Sequence, residues 1–284
     1  MSEREAAKPD AGSAPTLPKL RAEIDRIDAS MHSLLIERGE IIGELIKVKR
    51  TQESGAAFRP AREASMMRRI VERHRGILPL DTVESIWRVI IATFTYVQAP
   101  YAVHADFSAG DAAVRDSARF HFGFTVPLSA HLGAASVVAA VAQSKGDLGL
   151  VPASALAGAG AWWTALEAEK DPKIIARLPF VERADHPASL PLFVVSRPIA
   201  ADSAVTEVET WSIRVAGWSA AAARAVSTLA DVIAVPHGEF DGAALLASIP
   251  PGRTLEELTA ALVAAGASVR STALVGGHAT RYTV

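Results

Sequence analysis

The chain is 284 residues long, half of it hydrophobic and 21% charged, with a formal net charge of -2; this length accommodates about two domains, and the composition excludes wholesale disorder. The absence of cysteine excludes disulfides, thiolate catalysis and cysteine-held zinc or iron–sulfur centres. Near-neutral charge argues against a polyanion binder, so no nucleic-acid partner is expected, and the scattered histidines contain no His-x-x-x-His pair, so no metal site is expected.

Residues 1–18 mix charges with Ala, Gly, Ser and Pro and lack the apolar core of a secretory leader, which predicts a disordered tail. No stretch approaches the ~18 apolar residues that span a bilayer, so no membrane partner is expected and the protein is placed in the cytoplasm. From Leu20 the apolar residues recur in steps of four and three: Leu20, Ile24, Ile27, Met31, Leu34, Ile41, Leu45 and Val48. This is a helical seam of coiled-coil type. The seam position between Leu34 and Ile41 is Arg38, and a guanidinium there must meet a buried carboxylate, line a wet cavity or face a ligand anion. Lys49, eleven residues on, returns to the same face about three turns later, whereas Arg21 falls on a flank.

A break containing Gly55 and Pro60 ends this helix, and a second is expected over residues 61–75 with Ala64, Met67 and Val71 inward and Gly76 at its end. A third starts at Asp81, with Asp81 and Glu84 as a capping-box-like pair, Val83, Ile86, Ile90, Phe94 and Val97 on the apolar face, and Gln98 at its end. A long helix followed by two shorter ones leaves the seam uncovered within one chain, which predicts a homodimer.

After Pro100 the composition shifts to Ala, Val and Gly, and α/β alternation follows: strands near 101–105, 147–152, 173–181 and 191–196, and helices near 109–122 and 134–144. From Trp211 the order is strand, helix, strand, strand, helix, strand, a ferredoxin-like βαββαβ arrangement. Trp162-Trp163, Trp211 and Trp218 read as core aromatics, and Gly276-Gly277-His278 as a turn, being too short for a phosphate loop.

In order and spacing, Leu20-Arg21-x-x-Ile24-Asp25, Glu37-Arg38, Lys47-x-Lys49, Arg62-Glu63 and Gln98 resemble the all-helical chorismate mutases over residues 17–100. The resemblance implies an intertwined helical dimer, each pocket sharing residues of two chains, that rearranges chorismate to prephenate in aromatic amino-acid biosynthesis with no cofactor. It implies Arg21 and Arg38 as carboxylate clamps, with Arg59 also on the substrate. It further implies Lys49 and Gln98 at the ether oxygen and Glu63 at the ring hydroxyl. Forked guanidiniums suit carboxylates, and a pericyclic shift needs only confinement of the reactive conformer and a preorganised cation. Two positions depart from the pattern. Arg59 stands where some relatives carry an acid, and Phe94 where some carry serine.

The layout as a whole is similar to the bifunctional mutase–prephenate dehydratases: a helical mutase domain over 19–100, a truncated dehydratase-like α/β region over 101–200 and a regulatory-type ferredoxin-like module over 201–284. The segment Gly146 to Pro152 is similar to that family's strand, but Ala153-Ser154 replaces its polar tail, and Leu190-Pro191-Leu192 falls where its Thr-Arg-Phe would stand. Dehydratase activity is therefore not expected. Two other readings stay open: isochorismate pyruvate lyase on the same scaffold, and a non-catalytic metabolite-sensing dimer.

Overall fold

A computed structural model describes residues 16–49, 57–108, 110–154, 160–199, 206–238 and 241–284. The chain divides into two compact units, Met1–Lys49 and Arg50–Val284. Among the described residues the first contains one 33-residue helix, α1 (Leu17–Lys49). Helix therefore begins inside the stretch expected to be tail, most of which lies outside the described residues. The α1 seam is open: Leu20, Ile24, Ile27, Met31, Leu34, Ile41 and Val48 are all exposed. Local pairs such as Glu23 with Arg26 and Glu44 with Lys47 brace its polar faces.

The second unit opens with α2 (Pro60–Arg73) and α3 (Leu80–Gln98). Pro60 belongs not to the break but to the first turn of α2, where its missing N–H costs nothing; Gly55 lies outside the described residues. Met67 is inward as expected, but the buried face also takes Pro60, Glu63 and Ile70, while Ala64 and Val71 are half-buried. In α3 the expected face is displaced. Its buried residues are Glu84, Arg88, Ile91, Ala92 and Thr95, whereas Ile86 and Val97 are exposed. No side chain caps α3, and Glu84 is instead drawn inward to His186. The apolar stripe identified an amphipathic helix, but paired charges selected the face that packs inward.

Within the second unit, α2 and α3 pack on a nine-stranded mixed sheet of order β2-β1-β3-β6-β4-β10-β7-β9-β8. Its first part comprises β1 (Val103–Asp106), α4 (Asp111–Phe122), β2 (Leu128–His131), α5 (Ala134–Gln143), β3 (Leu148–Pro152), β4 (Lys173–Leu178) and β6 (Leu192–Ser196). β1 pairs in parallel with β2 and β3, and β6 runs antiparallel between β3 and β4. β2, a four-residue edge strand, was not among the strands expected from the residue pattern. Both faces of the sheet are covered, which explains why β3 and β6 read as continuous apolar runs. Leu148, Leu150, Leu192 and Val194 face a core shared with α2, α3 and α4, while Val151, Phe193 and Val195 face a second core with α5 and the buried Trp162 and Trp163.

The second part is β7 (Val208–Ala216), α6 (Ala220–Ser227), β8 (Asp231–Pro236), β9 (Ala243–Ile249), α7 (Leu255–Ala264) and β10 (Ser268–His278). All pairings among its four strands are antiparallel, in the ferredoxin-like order. A capping box of Thr254 and Glu257 starts α7. The two parts are not separate modules: β10 pairs in parallel with β4 at Gly276 and Ile174, so strands from both sides of residue 200 share one sheet. Gly276 makes this possible. Its φ of +132° is unfavourable for side-chain-bearing residues, and a Cβ there would stand 2.1 Å from the Ile174 carbonyl oxygen. The Gly276-Gly277-His278 stretch is thus the end of a strand at a close crossing, not a turn. A short two-stranded ribbon, β5 (Val181–Glu182) with β11 (Tyr282–Thr283), completes the fold.

Candidate active site

Three of the expected functional residues lie on α1. Arg21 is exposed and Arg38 half-buried. Lys49 is the last residue of the helix, about 16 Å along the axis from Arg38 at 1.5 Å per residue, and its side chain lies outside the described residues. The other three lie in the second unit. Arg59, half-buried, precedes α2 as its N-cap, and its carbonyl accepts from the Glu63 amide at 3.0 Å. Gln98 closes α3 half-buried, its Nε2 donating to the Phe94 carbonyl at 3.0 Å.

Glu63 sits in a polar cluster that the sequence did not disclose. It is 3% exposed, and its Oε2 accepts from Nη1 of the fully buried Arg88 at 2.7 Å. The same guanidinium donates through Nη2 to the His121 carbonyl at the end of α4, at 2.9 Å, and lies over the Phe180 ring. Burial holds the Glu63 carboxyl above the usual range, with Arg88 opposing it. Burial and the nearby Glu63 charge also raise the Tyr101 hydroxyl, which stays un-ionised. His121 is pushed well below its ordinary value, first by burial and then by the positive charge of Arg88. A neutral His121 therefore stacks on His186.

His186 completes the cluster. Its Nδ1 accepts from the Ala188 amide at 2.9 Å, so the proton of the neutral ring resides on Nε2, which donates to Glu84 at 3.2 Å. Glu63 thus ties α2 to α3 through Arg88, while Arg88 and Glu84 tie α3 to the α/β region through His121 and His186. The available sequence signal was Arg88 four residues after Glu84, an aligned charged pair beside the apolar stripe.

Another polar chain lies at the sheet edge. Asp147 accepts from the Ala102 amide and meets His104 Nε2 at 3.1 Å, while His104 Nδ1 meets His131 Nε2 at 2.9 Å. Trp218 packs on the ferredoxin-like core and borders a cavity of about 780 Å³ that also touches Arg177, His278 and Arg281.

The architecture defines a helical stretch followed by a mixed α/β region built on a nine-stranded sheet. Residues 20–99 match the family described as Chorismate mutase type II, so this stretch is a domain of that type. Curated relatives described as bifunctional chorismate mutase/prephenate dehydratase include one from Neisseria gonorrhoeae, 33% identical over 106 residues, covering 36% of this chain and 27% of that protein. A second, from Stutzerimonas stutzeri, is 27% identical over 49% of this chain and 39% of its own length. A third, from Pseudomonas aeruginosa, is 28% identical over 48% of this chain and 38% of its own. The chain thus spans roughly a quarter to two fifths of the length of these relatives. Among solved structures, a prephenate dehydratase from Streptococcus mutans aligns over 65% of this chain and all of its own, with 12% identity and a TM-score of 0.39. A quorum-quenching acylase, GqqA, aligns over 63% of this chain and 95% of its own, with 15% identity and a TM-score of 0.40. Likenesses at that level carry no functional conclusion.

Proposed function

We propose that the protein is a cytoplasmic, dimeric chorismate mutase without prephenate dehydratase activity. The supporting observation is the type II mutase match over residues 20–99, within which Arg21, Arg38 and Lys49 lie along one helix and Gln98 closes another. In this scheme Arg21 and Arg38 grip the two substrate carboxylates in forked pairs, and Arg59 adds positive charge beside α2. Confinement of the compact conformer removes entropy from the barrier. As the C–O bond breaks, charge grows on the ether oxygen; Lys49 and the Gln98 amide stabilise it without reorganising. No proton moves and no covalent intermediate forms.

Glu63 is assigned to the ring hydroxyl, an assignment that requires it to exchange its present bond to Arg88 for one to substrate. Dimerisation is supported by the exposed seam of α1 and by exposed Ile86, Val89 and Val97 on α3, apolar surfaces of the kind that mark association faces. Among the described residues no helix is long and apolar enough to cross a membrane. Ala153-Ser154 and Leu190-Pro191-Leu192, which replace polar dehydratase motifs, support a chain that stops at prephenate.

The test is incubation of the purified full chain with chorismate. Prephenate without phenylpyruvate is expected. Arg38→Ala should lower kcat/KM about a hundredfold, equivalent to ~2.7 kcal/mol of transition-state stabilisation. Pyruvate release from isochorismate, or no turnover of chorismate, refutes the proposal.

A further inference from the structure

At the end of the sheet where β3 begins and β6 finishes, a cavity of about 430 Å³ opens beside the residues that precede β3 and β4 and those that follow β6. Its rim carries Lys145, Lys170 and Arg197, and among the described residues its lining includes no carboxylate. Its apolar floor includes Phe58, Ile175 and Ile199. The volume falls in the range of small-molecule sites, about 300 to 1,000 Å³.

The charge balance is the informative feature. Arg88, Arg177, Arg214 and Arg281 each lie against a carboxylate. Among the described residues, none of the three rim cations forms such an ion pair; Arg197 makes one long bond to the Ser144 carbonyl, at 3.3 Å. Asp147, next to Gly146 of the lining, does not neutralise them, because its two oxygens are directed to the Ala102 amide and the His104 ring. Three like charges around one concavity repel one another and create a positive potential focused on it. A compact anion relieves the repulsion, and an apolar body gains the floor that inorganic ions cannot use.

We propose that this cavity is a second ligand site that binds a ring-bearing organic dicarboxylate. The inference rests on the mutase reading in one respect, since the substrate and product of that reaction are both ring dicarboxylates. None of the five candidate mutase residues whose side chains are described, Arg21, Arg38, Arg59, Glu63 and Gln98, lines the cavity. The α/β region would therefore hold such a dianion rather than convert it.

Equilibrium dialysis of the full chain against prephenate at low ionic strength tests this. Two molecules should bind per chain, one of them weakened at least tenfold in Lys145→Ala/Arg197→Ala and in the single variant Arg197→Glu. All three changes are at exposed positions, so folding is preserved, and kcat/KM for chorismate should stay within twofold of the parent. Added salt should weaken the second site. Unchanged prephenate binding in both variants overturns the proposal. Displacement of prephenate by an equal concentration of inorganic phosphate overturns the assignment to a dicarboxylate. A chain that fails to turn over chorismate but keeps variant-sensitive prephenate binding refutes the mutase reading alone, whereas normal turnover with a single variant-insensitive site refutes the second site alone.

Discussion

Arg88 carries more of the structure than its place in the sequence suggests, and Arg88→Met measures how much. The guanidinium is fully buried, 2.7 Å from Glu63 and 2.9 Å from the His121 carbonyl. Methionine keeps much of the stem but abandons Glu63 in a dry interior, where the carboxyl must take up a proton, and strips one carbonyl of its donor. Breaking a buried pair on one side costs about 3 to 5 kcal/mol, because the surviving partner loses its compensation. For a unit of this size each kcal/mol lowers Tm by ~2 to 4 °C, so a fall of about 10 °C is expected by circular dichroism. The double variant Glu63→Leu/Arg88→Met should recover most of the loss, since an apolar replacement of both partners leaves no buried charge uncompensated and only the His121 carbonyl without its donor. A loss below about 1 kcal/mol in the single variant, or no recovery in the double, would mean that water reaches this pair and that the buried cluster is misassigned.

Two further outcomes concern stability. His278 is driven down to about 4, chiefly by burial, and His121 is also depressed. A histidine with a lowered folded pKa binds fewer protons folded than unfolded. Its contribution is therefore full above the unfolded value of about 6.5 and is lost as pH falls toward about 4, on the order of 3 kcal/mol for His278. Urea titrations at stepped pH should give His278→Gln a shallower decline than the parent, with the opposing contribution of Glu63 common to both. Equal slopes would place His278 in water. Gly276→Ala should cost on the order of 3 kcal/mol in guanidinium unfolding, because a Cβ meets Ile174 backbone atoms at 2.1 to 2.8 Å on an unfavourable φ. A change below 0.5 kcal/mol, within the range of ordinary surface substitutions, would show that β10 does not approach β4 so closely.

The order and type of most elements were legible because they rest on local patterns. The Leu20 to Val48 seam foretold α1, the βαββαβ order foretold the ferredoxin-like strands, and the order and spacing of Arg21, Arg38, Lys49 and Gln98 carry the resemblance to the mutase family matched over residues 20–99. The continuous apolar runs of β3 and β6 belong to the same class, being written in residues a few positions apart.

The tertiary structure decided what depends on distant partners. Glu63 meets Arg88 across 25 positions and Glu84 meets His186 across 102, and these pairings turn a charged face of α3 inward in place of its apolar stripe. Periodicity records how amphipathic a segment is, but not which neighbour will satisfy a buried charge. The union of the two strand groups was equally hidden, because Gly276 reads as a turn until the Ile174 backbone lies beside it. Sequence thus determined the local elements and the family match over residues 20–99; only packing, through the cost of leaving a buried ion without a partner, determined which surfaces those elements share.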